Sequence, residues 1–171
     1  KNVEVINVND QYDYTGKQIK PTPIVQFGSQ VLEEGEDYTI EYGNNVDVGT
    51  NSGSIVIRQV SGTDTYYTGS KTARFNIYYN LSKATVTGLN DTYSYTGSEV
   101  KPIPQVTCAG KVLQEGVDYS LTYTNNIDAG TASVVINSMD GASIGNQVVN
   151  FEIKGINLAA PGMNITLDGQ L

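Results

Sequence analysis

Two loops of the chain gather amide and carboxylate oxygens. Gly43-Asn44-Asn45-Val46-Asp47 and Thr124-Asn125-Asn126-Ile127-Asp128 offer the hard oxygen donors that ligate calcium, which makes Asn45, Asp47, Asn126 and Asp128 the candidate ligands. Asp37 and Asp118 are helpers within reach in sequence. Calcium is held best by several carboxylates, and each loop supplies one. The same residues also suit a tight turn, because Asn tolerates positive φ and Asp hydrogen-bonds its own backbone. The turn is the favoured reading, so no metal or cofactor is assigned. The acidic run Glu33-Glu34-Gly35-Glu36-Asp37 shortens to Glu115-Gly116-Val117-Asp118 further on. Paired carboxylates hydrolyse glycosides when they face each other across a cleft, whereas these are neighbours along the chain and read as a solvated turn.

The aromatic and amine candidates follow from geometry. Tyr66-Tyr67 and Tyr78-Tyr79 are adjacent pairs, so in an extended segment one ring of each faces solvent. An exposed ring can stack on a sugar, which makes Tyr66 and Tyr67 the candidate carbohydrate-binding residues. The absence of Trp counts against such a platform. Lys20 and Lys101 each precede a proline. Crosslinking a lysine amine to an Asn side chain requires the amine buried and neutral beside an acid. A Lys-Pro step opening a strand is expected to lie exposed.

Composition removes most remaining chemistry. The 171 residues include no His, no Trp and one Cys, so Ser/His and Cys/His nucleophile pairs, imidazole metal sites and internal disulfides are excluded. An enzyme is not expected. Ten Lys and Arg against 18 Asp and Glu give a net charge of -8, a field that repels nucleic acid and anionic lipid. No stretch approaches the roughly 20 apolar residues that span a bilayer, so membrane insertion is not expected. The chain opens on Lys1 without a leader-like segment and reads as a fragment of something longer.

The elements that must carry these residues are strands. Eighteen Gly, twelve Tyr and many Thr, Val and Asn, without apolar helical spacing, describe strands joined by turns. The chain also repeats itself. Asn9-Asp10-Gln11-Tyr12-Asp13-Tyr14-Thr15-Gly16 returns as Asn90-Asp91-Thr92-Tyr93-Ser94-Tyr95-Thr96-Gly97, an offset of 95 − 14 = 81. The same offset relates Lys20-Pro21 to Lys101-Pro102, Asp37-Tyr38 to Asp118-Tyr119, and Asn44-Asn45 to Asn125-Asn126, with about half of the positions identical. Later Ser54-Ile55-Val56-Ile57 matches Ser133-Val134-Val135-Ile136, and Phe75-Asn76-Ile77 matches Phe151-Glu152-Ile153. The first copy therefore holds extra residues near 51–53 and 60–69, which belong in surface loops.

Period-two alternation runs through both copies. Tyr38, Ile40 and Tyr42 share a dry face, as do Tyr119, Leu121 and Tyr123. The first copy is predicted to hold strands at 3–8, 12–14, 18–27, 30–33, 37–43, 54–60 and 72–79. The second repeats them at 83–88, 93–95, 99–108, 111–114, 118–124, 132–138 and 147–154. The expected fold is all-β, two tandem immunoglobulin-like antiparallel β-sandwiches of about seven strands each. Cys108, standing where the first copy has Phe27, is expected to act as a small apolar core residue.

The expected organisation is repeat one at 1–79, a short stiff linker at 80–82, repeat two at 83–155, and a tail at 156–171 that echoes the start of a third repeat. No Gly/Ser or Pro run separates the copies, so a rigid, rod-like pair is expected.

The ordered motifs Tyr-x-Tyr-Thr-Gly, Lys-Pro-x-Pro, Val-Leu-x-Glu-Gly-x-Asp-Tyr, Tyr-x-Asn-Asn-x-Asp-x-Gly-Thr and Phe-x-Ile span residues 3–154. This set resembles bacterial immunoglobulin-like repeats of the BIg/MBG type, found in tandem in secreted and cell-wall-attached proteins of Gram-positive bacteria. The resemblance implies an extracellular, monomeric, non-catalytic spacer or stalk. Its partners would be the neighbouring domains of the same polypeptide, and it would position adhesive or carbohydrate-active domains. The alternative is a module that itself binds polysaccharide or a host surface. The family has no shared active site to carry over.

Overall fold

The computed structural model of the chain describes residues 3–60 and 68–156. The first copy holds β1 (Val3–Ile6), β2 (Gln11–Asp13), β3 (Ile24–Phe27), β4 (Gln30–Val31), β5 (Tyr38–Tyr42), β6 (Gly49–Gln59) and β7 (Ser70–Asn80). A single 3-10 turn, Leu81–Lys83, leads to the second copy. There the strands are β8 (Thr85–Thr87), β9 (Thr92–Ser94), β10 (Gln105–Cys108), β11 (Lys111–Val112), β12 (Tyr119–Thr124), β13 (Gly130–Ser138), β14 (Ser143–Ile144) and β15 (Gln147–Lys154).

Each copy builds a small antiparallel sheet and a larger one. In the first, β1, β3 and β4 form the small sheet, and β5, β6 and β7 form the larger. The strand β2 joins the larger sheet parallel to β7. The second copy repeats this with β8, β10 and β11, and with β12, β13 and β15, to which β9 pairs in parallel. The architecture is all-β and sandwich-like. Alternation puts Val25, Ile55, Ile57, Phe75 and Ile77 in the dry interior of the first copy, all at most 4% exposed.

The strands β3 and β10 begin later than the sequence predicts, after Pro23 and Pro104. Proline has no N–H to give to a ladder, so both Lys-Pro-x-Pro segments stay irregular. Side chains hold them instead: the Tyr42 hydroxyl donates to the Pro21 carbonyl at 3.0 Å, and Tyr123 to Pro102 at 2.8 Å.

One of the first copy's insertions lies inside a strand rather than in a loop. Gly49 pairs with Ile77 and Gly53 with Phe75, whereas Gly130 pairs with Ile153 and Ala132 with Phe151. The extra residues form a bulge in β6. Asn51 takes φ 54° there, its N–H donates to the Asn76 side chain at 2.8 Å, and Ser52 Oγ donates to the Gly49 carbonyl at 2.9 Å. A bulge whose polar groups are paired locally is accommodated within a sheet.

Candidate functional site: the junction between the copies

Of the four residues picked out as calcium ligands, the two asparagines are buried and the two aspartates are exposed. Asn45 is fully buried; its amide donates to the Ile19 and Ser54 carbonyls at 2.9 and 3.0 Å, and its Oδ1 accepts from the Ser54 N–H at 2.7 Å. It ties the proline-rich segment to β6. Asn126, also buried, donates to the Val100 carbonyl at 3.2 Å. Asp47 accepts from the Asn44 side chain at 2.7 Å. Asp128 lines an open depression of about 280 Å³ with Asn125, Ala129, Gly130 and Thr131. The helpers Asp37 and Asp118 accept from the Glu33 and Gln114 N–H groups and so cap their own turns. Among the described residues no three acidic, His or Cys side chains come together as a metal site.

Tyr66 and Tyr67 lie outside the described residues, as does the tail from 157 on. Of the other tyrosine pair, Tyr79 is buried and Tyr78 half-exposed, its hydroxyl 3.2 Å from Thr50 Oγ1. The Lys101 amine is exposed and pairs with Glu99 at 2.6 Å; the Lys20 amine lies 5.5 Å from the Tyr42 ring. Cys108 is buried, its Sγ 3.7 Å from the Asn80 carbonyl, and burial pushes its pKa up, helped by Asp13 and Asp118. A thiol held protonated in this way is a poor nucleophile.

Among the described residues, polar, aromatic and buried groups also converge at the junction. The strand β7 does not stop at the edge of the first copy. Its last residues, Tyr79 and Asn80, pair in parallel with Ser143 and Ile144 of β14, and the Tyr79 N–H donates to the Ala142 carbonyl at 3.1 Å. Tyr79 and the fully buried Leu81 then enter the second copy's interior, in one cluster with Ala84, Val106, Cys108, Leu113, Tyr119 and Ile136. Tyr14 touches both interiors, its ring edge-on to Tyr79 at 5.0 Å, and Val48 packs on the same cluster. Burial raises the Tyr79 pKa to about 12, with Asp118, Tyr14, Cys108 and Asp47 adding to it.

A polar clasp closes the rim. The Asp13 carboxylate accepts from the Asn80 side chain at 3.0 Å and from the Lys83 amine at 2.7 Å. Partial burial pushes the Asp13 carboxyl up, but hydrogen bonds from Lys83 and Asn80 and the Lys83 charge outweigh it, leaving it below its ordinary 3.8. On the far side Ser143 Oγ, itself buried, donates to the Asp118 carbonyl at 2.6 Å and accepts from the Met139 N–H at 3.0 Å, which shapes the turn that presents β14. Gly145, at φ 71°, leaves no room for a Cβ beside Ser82 Oγ.

Sequence reasoning did not find β14, the clasp, or the plug that Tyr79 and Leu81 form in the second copy's interior. A signal was present: Asp13, Val48 and Tyr79 stand where the second copy has Ser94, Ala129 and Gly155, and Cys108 stands where the first has Phe27. These four departures from the repeat lie where one copy meets the other. Comparison of the chain with protein-family models, curated proteins and solved structures returns no match.

Proposed function

We propose that the chain is a non-catalytic structural spacer, two tandem immunoglobulin-like β-sandwich domains at 1–79 and 83–155 joined by a stiff connection at 80–82. The observation that carries this reading is the continuity of β7: one strand belongs to the sheet of the first copy, pairs with β14 of the second, and delivers Leu81 into the second interior. A connection buried in this way loses the rotational freedom that an exposed linker keeps. The repeated motifs support the reading as well, since their polar groups satisfy backbone within their own copy. The Thr15-Gly16 and Thr96-Gly97 turns, for example, close through Thr hydroxyls bonded to residues 17 and 98.

The motif resemblance supports a spacer that works outside the cell, in a secreted or wall-attached bacterial protein whose other domains it would hold at a distance. Small-angle scattering of the whole chain tests the stiffness. A single narrow distribution of distances between the copies is expected; a broad one overturns the reading.

A further inference from the structure

We propose that each copy contains a shear clamp that resists tension along the chain, formed by the parallel pairs β2 with β7 and β9 with β15. This rests on the spacer reading and adds a load-bearing role to it.

The pairs join the entry of each copy to its exit. In the first copy Gln11, Tyr12 and Asp13 lie opposite Asn76, Ile77 and Tyr78, flanked by bonds from the Asn76 N–H to the Asp10 carbonyl and from the Tyr14 N–H to the Tyr78 carbonyl, both 2.8 Å. In the second, Thr92, Tyr93 and Ser94 lie opposite Glu152, Ile153 and Lys154, flanked by the equivalent bonds at 2.8 and 2.9 Å. The Lys71 amine donates to the Val3 carbonyl at 2.8 Å, which places the start of β1 beside the start of β7. The chain therefore enters at one end of β7 and leaves, through Asn80, at the other.

Tension applied to the chain pulls β2 toward the entry and β7 toward the exit, along one common axis. The bonds of a parallel ladder are evenly spaced between the two strands, so sliding one strand along the other loads them all at once and they must yield together. Were both strands loaded at the same end, the bonds would open one at a time. Side chains resist the same sliding. Tyr12 packs edge-on against Phe75 at 4.8 Å while its hydroxyl accepts from the Asn9 N–H at 3.0 Å, and Tyr93 packs on Phe151 at 5.2 Å with the bond from Asn90 at 2.9 Å. Slippage by one residue would move each tyrosine off its partner and turn its ring to the opposite face.

Single-molecule force spectroscopy on the full chain tests the clamp. With handles at the two chain ends, each copy is loaded in shear. With one handle at the N-terminal end and the other on a cysteine at the exposed position 68, introduced by Thr68→Cys in a Cys108→Ser background, β2 and β7 are loaded from the same end. The unfolding force of the first copy is expected to fall by about twofold or more in the second geometry, because forced unfolding reads the barrier along the pulled direction. Equal forces in the two geometries overturn the clamp. Scattering from the same Cys108→Ser protein reads the stiffness independently: equal forces with a narrow inter-copy distance remove the clamp alone, whereas a broad distance distribution removes the spacer reading with it.

Discussion

The two copies close their interiors differently, although about half of their aligned residues agree. The first is self-contained: Val25, Leu32, Tyr38, Ile55, Ile57, Phe75 and Ile77 form one buried cluster, with Phe27 packed against it. The second is split. Ala132, Val134, Phe151 and Ile153 form one part, and the other is completed by Tyr79 and Leu81, which the sequence order assigns to the end of the first copy and the connection. At the position of Phe27 the second copy has Cys108, and the smaller side chain leaves room for what arrives from β7. The lesson is that a repeat copied in sequence need not be copied in independence; the second unit depends on the first for part of its interior.

Removing the plug attacks that dependence most directly. Leu81→Ala is expected to destabilise the second copy by about 2–5 kcal/mol, the usual range for a buried Leu, while leaving the first copy nearly unchanged. Calorimetry should then resolve two transitions, the lower one assigned by hydrogen exchange to the second copy. A uniform loss across both copies would contradict the split.

A smaller effect separates the two phenylalanines. A Cβ added at Gly53 would overlap the Phe75 ring, whereas the second copy already has Ala132 opposite Phe151. Gly53→Ala should cost the first copy about 3 kcal/mol through overpacking, and Ala132→Gly about 1 kcal/mol through added chain entropy and lost contact. Denaturant midpoints of the two variants check the asymmetry.

Cys108→Phe makes the second copy imitate the first. The added ring competes with Tyr79 and Leu81, so a loss of about 1–2 kcal/mol is expected, with faster exchange of the Tyr79 N–H that the Ala142 carbonyl holds. An unchanged stability would mean the room at 108 is not what admits the plug.

The least effect belongs to the clasp. Asp13 has a folded pKa below its ordinary value, so its contribution is present above the unfolded value near 4 and is lost as pH falls through the folded one. Its partner Lys83 is largely exposed, so Asp13→Ala should cost less than about 1 kcal/mol at neutral pH, and nothing further on acidification. The difference between wild type and variant, followed by urea unfolding from pH 7 to 2, should close at the acid end. At alkaline pH the sign reverses: Tyr79, raised to about 12, stabilises fully below about pH 10 and progressively less as pH climbs through its folded value.

Much of the fold was legible in the chain itself. Alternation exposed the dry faces of β5, β6, β12 and β13, and the positive φ of Gly35 and Gly116 agrees with the turns read from Glu-Gly-x-Asp. These are local properties, set by a period of two and by which residues tolerate a left-handed backbone. The turn read at Asn44-Asn45 is local in the same way, but the partners of the Asn45 side chain, Ile19 and Ser54, come from elsewhere in the chain and were not legible.

By itself, then, the sequence determined that the chain is β-structured, that it holds two copies of one unit, and where most turns fall, because each of these follows from residues close together along the backbone. Only the tertiary structure decided that β2 and β9 pair in parallel with the closing strands, that β6 absorbs its insertion as a bulge, and that Leu81 fills the second copy rather than lying between the two. Those outcomes depend on which distant surfaces meet, and the free energy of burying a side chain is set by what surrounds it, which no local pattern records.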